Sequence, residues 1–457
     1  MLEEEGMTKT QILDAFIGLQ WGDEGKGKVV DEGAADAVAL DDGQRTIVVR
    51  AQGGPNAGHT IKVNNSEEDS VTTVQHSAPS GLSSGADIAI GPHVAFSPTH
   101  FAAELHDAEK LFAYNGRVMI SERAGVLFEY HGLIDKLREE DAATSVGSTK
   151  NGIGPFYEDN SRKTTRVTFR DYVSPDFPDR LRKVMEMKRG GLEPALAMAG
   201  TSFDDCLARI VATHAPLRRD LATFAERLEY RLREYLERGD HILVEGAQGS
   251  GLDVDMGTIP DTTSSHLLAP SFFPSLGLPR RAFRIIGVEK VYPTRVGKGE
   301  MPTLDIGYFG TTVQRDAREF GATTGRPRRV GYPDWVLVKY SVMLNDCDGI
   351  VLTRVDDVQG HELKVCTAYI YPDGSVNDEF PLDLKGINPI YGGGTFSWSL
   401  WEGIGDNKIK DARRHYVSNG KDLPSSLLNF IARHDAYVGC PAVGVSIGPA
   451  RGEIVAR

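Results

Sequence analysis

A glycine-rich loop near the amino terminus has the composition and spacing of a phosphate-binding loop. Residues 22–28 fit the pattern G-x-x-x-x-G-K, whose backbone N–H groups point at phosphate oxygens. The next position normally carries a hydroxyl that holds Mg²⁺, but here it is Val29. Asp23 lies inside the loop and would repel phosphate unless a cation neutralised it. We therefore interpret Asp23 as a Mg²⁺ ligand or a base; the alternative is a plain glycine turn with solvated lysines.

A second loop, "AQGGPNAGHT" at residues 51–60, places glycines, an asparagine and a histidine directly after an apolar run. A carbonyl group in such a turn can ligate Mg²⁺, and His59 can donate a proton to a developing oxyanion. The alternative is a tight turn with a surface histidine. We favour the chemical role because the first loop follows its strand in the same way.

Two later loops are rich in small residues. "VGSTKNGIGPFYED" at 146–159 contains Thr149 and backbone amides suited to phosphate. In the stretch 244–266, the amide of Gln248 offers both a donor and an acceptor to the edge of a nucleotide base. Both stretches are also consistent with ordinary loops, because Gly-Pro turns and helix-capping threonines are common.

Three arginines follow a Thr-Thr-Gly turn in the stretch 319–334. In a chain of net charge −13, Arg326, Arg328 and Arg329 predict the local capture of a carboxylate or a phosphate. The alternative is a solvent-exposed basic loop.

The stretch "VLTRVDDV" at 351–358 ends an apolar run with charged residues. The carboxylate of Asp356 can accept both the N1–H and the exocyclic amine of guanine, whereas adenine presents an acceptor at N1 and would be rejected. Arg354 can stack on the same base. The alternative is a solvated aspartate at the end of a strand.

These loops require strands that end beside one another. Short apolar runs alternate with amphipathic stretches, which predicts an α/β fold with a large, mostly parallel central sheet, a P-loop-like nucleotide-binding loop and helical insertions. The carboxyl ends of such strands carry the ligand site. The predicted strands cover residues 15–19, 46–51, 86–91, 117–121, 241–246, 283–291, 349–356 and 442–448.

Two stretches have helical periodicity. One covers residues 98–116, and the other runs from Leu217 to Gly239. We expect helical insertions around 98–145 and 175–238, within a single domain over 11–457 that follows a disordered extension over 1–10. The apolar positions of the second stretch are Leu221, Phe224, Leu228, Leu232 and Leu236.

The composition excludes several classes of protein. The chain has 457 residues, a net charge of −13 and a pI near 5.5, which argues against a nucleic-acid-binding surface. No apolar run reaches about 18 residues, so no membrane span is expected, and the amino terminus lacks the regions of a secretory signal. Four cysteines without a C-x-x-C pair indicate a reducing compartment, and we expect a cytoplasmic location.

Taken together, the motifs resemble those of the adenylosuccinate synthetase family. "QWGDEGKGK", "QGGPNAGHT", "STKNGIGP", "EGAQG", "LDVDMGT", "TRVG", "EFGATTGRPRR" and "TRVD" occur in the family's order and spacing, from about residue 11 to the carboxyl terminus. The resemblance implies a GTP-dependent carbon–nitrogen ligase that joins L-aspartate to IMP through 6-phosphoryl-IMP. Its products would be adenylosuccinate, GDP and phosphate, in the step that commits IMP to the synthesis of AMP.

The resemblance also implies roles for single residues. Asp23 would take the N1 proton of IMP and ligate Mg²⁺ together with the Gly58 carbonyl, while His59 and Gln248 would complete the catalytic set. The implied GTP contacts are Gly22, Asp23, Glu24, Gly25, Lys26, Gly27, Lys28, Gly58, His59, Thr60, Arg328, Arg354, Val355, Asp356, Ser446, Ile447 and Gly448. The implied IMP contacts are Asp23, Lys26, Asn56, Ala57, Gly58, His59, Thr149, Arg162, Gln248, Thr263, Val296 and Arg326. The implied aspartate contacts are Ala322, Thr323, Thr324, Gly325, Arg326 and Arg328.

The family is homodimeric, and an arginine of the partner subunit reaches the IMP phosphate. Arg162 matches that arginine, and Lys163 is the alternative because the spacing is one residue short. The expected partners are therefore IMP, L-aspartate, GTP and a second copy of the chain, without nucleic acid or membrane.

Some positions depart from the family pattern. Arg354 stands where a lysine is usual and Val355 where a leucine is usual, and the carboxyl-terminal "SIGPARGE" differs at Ala450 and Gly452. Each departure falls in the stretches that would hold the base of GTP.

Three other functions are consistent with parts of the sequence. Phage relatives use dGMP in place of IMP, but they lack the loop aspartate, so Asp23 favours IMP. A GTP-binding switch would leave His59, Gln248 and the arginine stretch without a role. An inactive homologue is disfavoured by the intact pair of Asp23 and His59.

Overall fold

The computed structural model describes residues 11–56, 58–64, 70–141, 145, 147–295, 297–321, 325–401, 417 and 423–457. Its strands are β1 (Leu13–Gly18), β2 (Thr46–Gly53), β3 (His59–Asn64), β4 (Ser70–Gln75), β5 (Asp87–Phe96), β6 (Val118–Ser121), β7 (Gly125–Val126), β8 (Ala225–Glu226), β9 (His241–Glu245), β10 (Arg284–Lys290), β11 (Thr294–Arg295), β12 (Arg329–Val330), β13 (Gly349–Thr353), β14 (Leu363–Lys364), β15 (Ala368–Ile370), β16 (Val376–Asn377), β17 (Asn388–Ile390), β18 (Thr395–Phe396), β19 (Ala442–Ser446) and β20 (Ile454–Ala456). Its α-helices are α1 (Lys26–Ala39), α2 (Pro98–Phe112), α3 (Glu129–Glu140), α4 (Ile153–Ser161), α5 (Phe169–Val173), α6 (Phe177–Met187), α7 (Arg189–Met198), α8 (Phe203–Leu221), α9 (Leu228–Arg238), α10 (Ala269–Leu276), α11 (Tyr308–Asp316), α12 (Trp335–Asn345) and α13 (Ser425–Val438).

An 11-stranded sheet forms the centre of the molecule, with β1 near its middle. The strand order is β20-β19-β13-β10-β1-β9-β2-β5-β6-β8, and β7 pairs with β5. The strand pairs of this sheet are parallel except β19 with β20. The predicted α/β architecture with a large, mostly parallel sheet is therefore confirmed.

Both faces of the sheet are covered, which explains why its long strands are buried at almost every position. On β1, Phe16 packs in one core with Val29 and Val30 of α1. Its neighbours Ala15 and Ile17 point to the opposite face, into a core that includes side chains from α9, α10, α12 and α13.

The strand predictions are confirmed at each of the predicted positions, since all of those segments pair in the main sheet. The strands missed in that sheet are β7, β8 and β20, which have two or three residues each. Such segments are too short to show an alternating pattern in the sequence.

The prediction of one helix from Leu217 to Gly239 is wrong. Helix α8 ends at Leu221, β8 then pairs with β6, and α9 begins at Leu228. The apolar spacing continues through the break, although the residues on its two sides contribute to different cores. Leu221 belongs to a core that includes side chains from α2, α6, α7 and α8, whereas Leu228 and Leu232 belong to the core of the main sheet.

The segment around 98–145, expected as a helical insertion, contains α2 and α3 but also the sheet strands β6 and β7. The segment 175–238 contains α6, α7, α8 and α9, interrupted by β8. The assignment of residues 11–457 to a single domain stays a prediction, and the expected extension over 1–10 lies outside the described residues. Within the described ranges, no helix combines the length and apolarity that crossing a membrane requires.

A buried ion pair joins the central sheet to α13. His434 and Glu289 are 0% and 1% exposed, and His434 Nε2 lies 2.8 Å from Glu289 Oε2. On the other ring nitrogen, Nδ1 lies 3.1 Å from Asp435 Oδ1. Burial opposes a charge on the imidazole, but the two carboxylates outweigh it and raise the pKa of His434 to about 9.

This pair predicts a loss of stability at alkaline pH. The pKa of His434 rises on folding from 6.5 to about 9, so the stabilisation is complete below pH 6.5 and is lost as the pH rises through 9. The shift corresponds to roughly 3 kcal/mol. We expect the difference in melting temperature between wild type and His434→Gln to be large at about pH 6 and much smaller at about pH 9.5. Equal differences at both values, measured by circular dichroism, would contradict the charged pair.

Candidate active site

The loops with candidate residues meet at one edge of the main sheet. They follow β1, β2, β9, β13 and β19, which run parallel, so their carboxyl ends lie on the same side. Asp23, Gln248 and Arg354 in these loops have positive φ values of 61°, 53° and 64°. Left-handed backbone is uncommon outside glycine and concentrates at functional sites.

The loop after β1 leads into the first turn of α1. Gly25 has a φ of 87° and precedes the first helical residue, Lys26. In the described part of the chain, no acceptor binds the amides of Gly25, Lys26 or Gly27. Free amides at the amino terminus of a helix bind anions. The loop therefore has the backbone of a phosphate cradle.

The carboxylate of Glu24 holds this loop from the protein interior. It is fully buried and accepts hydrogen bonds from Gln20 N at 3.1 Å and Gly22 N at 2.8 Å. Its second oxygen pairs with Lys26 Nζ at 2.5 Å. A side chain at Gly249 would collide with this carboxylate, so the position requires glycine. Glu24 therefore presents its backbone, and not its side chain, to a ligand.

The two lysines of the loop are buried, with Lys26 4% and Lys28 8% exposed. Lys28 Nζ donates to Ser446 Oγ at 2.7 Å and to Gly448 O at 2.6 Å. This contact joins α1 to the end of β19 and the loop that follows it, where the expected GTP contacts Ser446, Ile447 and Gly448 lie. The alternative of a glycine turn with solvated lysines is wrong.

Asp23 is more exposed than its neighbours, and an arginine neutralises it. Arg328 Nε donates to Asp23 Oδ2 at 2.6 Å, with side-chain exposures of 11% and 38%. The phosphate loop and the arginine stretch are thus in contact, although the two residues lie 305 positions apart. The carboxylate is accessible and paired with a cation, which suits a group that exchanges partners.

The other arginines of that stretch differ in their surroundings. Arg329 donates to the carbonyl oxygens of Gly297 at 3.1 Å and Gly299 at 2.5 Å. Arg326 and Gly325 are exposed. Five expected contact residues lie outside the described residues: Ala57, Val296, Ala322, Thr323 and Thr324.

His59 is 7% exposed and packs against the phosphate loop. A Cβ at Gly27 would lie 2.6 Å from the Cβ of His59, so the position tolerates only glycine. The ring Nδ1 of His59 contacts the carboxylate of Glu245 at the end of β9. The alternative of a surface histidine is wrong.

Glu245 orients His59 and is itself held by Ser80. Ser80 Oγ donates to Glu245 Oε1 and Ser80 N donates to Glu245 Oε2, both at 2.7 Å. Burial opposes a charge on Glu245, but His59, Arg50 and the Ser80 amide outweigh it and lower the pKa of the carboxyl group. Burial lowers the pKa of His59 despite that neighbour. The contact with Glu245 therefore fixes the orientation of the ring through Nδ1.

Two expected IMP contacts touch each other. Gln248 Nε2 donates to Asn56 Oδ1 at 3.3 Å, which joins the loops after β9 and β2. Gln248 Oε1 is buried and has no partner in the described part of the chain. A buried acceptor without a donor is costly, so this oxygen is suited to an N–H or O–H group of a ligand.

The loop around Thr149 is anchored by a carboxylate that the sequence analysis missed. Asp135 on α3 accepts a hydrogen bond from Ser148 Oγ at 2.8 Å. Both oxygens of Asp135 are used, since Gly152 N donates to the second one at 2.8 Å. Thr149 is half-buried between these two contacts.

Helix α4 follows that loop and links it to the stretch 244–266. A Cβ at Gly154, near the start of α4, would lie 3.6 Å from Ser264 Oγ, next to the half-buried Thr263. Arg162 caps the opposite end of the helix and is exposed. Its side chain makes no hydrogen bond or ion pair with any described residue.

The expected base contacts lie at the end of β13. Val355 is 0% exposed and its side chain belongs to the main core. Arg354 and Asp356 are half-buried on either side of it. Val355 can therefore contribute only its backbone to a ligand.

Two further expected GTP contacts lie beyond the phosphate loop. Gly58 is half-buried, and Thr60 is exposed on β3.

Glu245, Ser80 and Asp135 were missed because their partners are distant in sequence. Of the three, Glu245 had the clearest signal in the sequence, since it directly precedes the Gly-Ala-Gln-Gly motif. Asp253, Asp255 and His266 also lie together, but Asp253 Oδ1 accepts from the amides of Asp255 and Met256, both at 3.0 Å. This group shapes the backbone of its loop.

The whole chain is similar to known proteins. The family model described as adenylosuccinate synthetase matches residues 15–455. The adenylosuccinate synthetase of Caldicellulosiruptor bescii is 34% identical, with 98% of this chain and 100% of that one covered. That of Geobacter metallireducens is 36% identical, with coverage of 96% and 97%.

Two solved structures resemble the fold. Fully ligated adenylosuccinate synthetase from Plasmodium falciparum superimposes with a TM-score of 0.82 at 25% identity, covering 97% of this chain and 99% of that one. The succinoaminodeoxyadenylate synthetase of cyanophage S-2L, bound to dGMP and dATP, gives a TM-score of 0.60 at 17% identity, with coverage of 98% and 96%. The phage likeness concerns the fold alone. Because the family match spans residues 15–455 and relatives are 34% and 36% identical over nearly their full length, this chain belongs to the adenylosuccinate synthetase family, the GTP-dependent ligases of purine biosynthesis.

Proposed function

We propose that the site at the carboxyl ends of the parallel strands joins L-aspartate to IMP with the use of GTP, through 6-phosphoryl-IMP. In this reaction Asp23 is the base and His59 is the acid. One observation carries this assignment. His59 packs directly against Gly27, so the histidine lies beside the open amides of the same loop that carries Asp23. Phosphoryl transfer needs such a combination of an amide cradle with groups that remove and supply protons.

In the first step, Asp23 accepts the N1 proton of IMP, and O6 attacks the γ-phosphorus of GTP. The bond from that phosphorus to the oxygen of GDP breaks. His59, held at Nδ1 by Glu245, donates a hydrogen bond or a proton to the transferring group through its other ring nitrogen. The amine of aspartate then attacks C6, the bond from C6 to the phosphoryl oxygen breaks, and the nitrogen releases a proton. Phosphate leaves in place of the poorer oxo group.

The remaining substrate contacts follow the same assignment. Asn56, Gln248, Thr149, Thr263 and Arg326 bind IMP. The stretch 322–328 binds aspartate. The loops after β13 and β19 bind the base of GTP, and Lys28 supports the second of these loops from within.

We assign a Mg²⁺ site to the Asp23 carboxylate and the Gly58 carbonyl. Both are oxygen donors, and Mg²⁺ binds few protein ligands beside water and phosphate. The side chain of Asp23 is 38% exposed and so accessible to an ion. Mg²⁺ bound there would neutralise charge on the β- and γ-phosphates.

The active form is proposed to be a cytoplasmic homodimer in which Arg162 reaches the IMP phosphate of the partner subunit. Arg162 is exposed, and its side chain makes no hydrogen bond or ion pair with the described residues. An arginine in that position is available to a second copy. Lys163, also exposed, is the alternative.

The reaction is tested with purified protein, Mg²⁺, aspartate and GTP, by following the ultraviolet absorbance of adenylosuccinate and confirming the product by mass spectrometry. Turnover is expected with IMP and GTP. Replacing GTP by ATP tests the base site, and omitting aspartate tests for the hydrolysis of a GTP-binding switch. Turnover of dGMP without turnover of IMP would overturn the proposal.

Loss of the base is predicted to stop the chemistry. Asp23→Ala should lower kcat by at least about 1,000-fold, because a proton acceptor and a metal ligand are both removed. His59→Asn should lower kcat by about 100- to 1,000-fold with little effect on melting temperature. The control is Asp107→Ala, which removes an exposed carboxylate from α2. Near-normal kcat in either active-site variant, from initial rates at saturating substrates, would refute its role.

The contribution of Arg162 across the dimer predicts complementation between inactive variants. In a dimer of Arg162→Leu with Asp23→Ala, one of the two sites has both native residues. Random pairing after co-expression should therefore restore about a quarter of wild-type activity, while each variant alone is nearly inactive. The same experiment with Lys163→Leu identifies which residue acts. Absence of recovery with both would exclude a contribution in trans.

A further inference from the structure

Arg354, which replaces the lysine usual in the family, is held along one edge of its guanidinium group. Nη2 donates to Glu319 Oε1 at 3.0 Å and to Ala317 O at 3.1 Å. Nε lies 2.8 Å from Asp357 Oδ2. Contacts from two segments of the chain therefore restrict both the position and the plane of the group.

The two carboxylates are fixed by their own neighbours. The hydroxyl of Tyr292 lies 2.7 Å from Glu319 Oε1 and 3.0 Å from Asp357 Oδ2. Lys290 Nζ donates to Glu319 Oε1 at 3.1 Å. Burial opposes a charge on Glu319, but Lys290 and Arg354 outweigh it and lower the pKa of the carboxyl group to about 2. Glu319 is therefore ionised at neutral pH.

The location of Arg354 connects this cluster with nucleotide binding. Arg354 follows β13 directly, with left-handed backbone, and precedes Asp356 by two positions. A guanidinium group is planar and stacks on a base only when its plane is correctly oriented, whereas an ammonium group has no plane. An arginine at this position therefore needs an orientation that a lysine does not.

We propose that Asp357 and Glu319 are positioning residues of the nucleotide-base site, which set the plane of the Arg354 guanidinium on which the guanine of GTP stacks. This inference rests on the proposed use of GTP. Arg354 keeps 35% of its side chain exposed despite both carboxylates, so part of the group is accessible to a base. Glu319 also accepts a hydrogen bond from Arg328 N at 2.8 Å through its carbonyl oxygen, which joins the base site to the arginine stretch.

Asp357→Asn is the primary test, because it removes the charge while keeping the size and an acceptor for Tyr292. We expect KM for GTP and the Kd for fluorescent mant-GDP to rise by about 10-fold, while kcat and KM for IMP and aspartate stay within about 2-fold. Asp316→Asn, a matched loss of an arginine-paired carboxylate at the exposed end of α11, should leave all values unchanged. If Asp357→Asn does not fold, Asp357→Ser is measured in its place, and we expect the same changes in KM and Kd.

The effect must pass through Arg354. In an Arg354→Lys background, Asp357→Asn should change the Kd for mant-GDP by less than about 2-fold, because lysine has no Nε to hold. An unchanged Kd in the wild-type background, a parallel rise of every KM, or an equal effect in the lysine background would overturn the inference. Binding of mant-GDP needs neither IMP nor aspartate. It therefore tests the base site even if the proposed reaction does not occur, and the turnover assay tests that reaction by itself.

Discussion

The buried carboxylate of Glu24 is the constraint on which the site depends. It binds the amides of Gln20 and Gly22, so the backbone of the loop is directed outward, and it neutralises Lys26. The main-chain carbonyl oxygen of Glu24 accepts a hydrogen bond from Oγ1 of Thr353, at the end of β13, at 2.6 Å. A charge this deep is tolerated only with all of its partners in place. The shape of the phosphate loop and its attachment to the sheet are therefore maintained together.

The distribution of charge follows from that arrangement. Lys26 and Lys28 bind oxygens of the protein, and so the open amides, with Arg328 nearby, are left to receive anions in a chain of net charge −13. Val29, the apparent defect of the phosphate loop, is 4% exposed and packs in the core beneath α1. A hydroxyl is unnecessary there under the proposed roles, because Asp23 supplies the oxygen for the metal.

The sequence was sufficient for the main sheet and for the meeting of its loops, since long apolar strands and glycine-rich motifs are local signals. It was insufficient where the structure depends on contacts between residues that are far apart in the sequence. The break between Leu221 and Leu228 arises because the chain leaves one core for another, which the continuous helical period conceals. The contact of Ser80 with Glu245 joins residues 165 positions apart, and no local pattern marks such a pair.

The same separation explains why the site needs the complete sheet. Asp23 meets Arg328 across 305 positions and Lys28 meets Ser446 across 418, so no short fragment contains the arrangement. The pair of Asp23 and Arg328 also has a consequence under the proposed roles. While Arg328 binds Oδ2 of Asp23, that oxygen is less available to Mg²⁺ or to a proton. An anionic substrate that attracts Arg328 would release that oxygen, so entry of the substrate and activation of the base are linked by one ion pair.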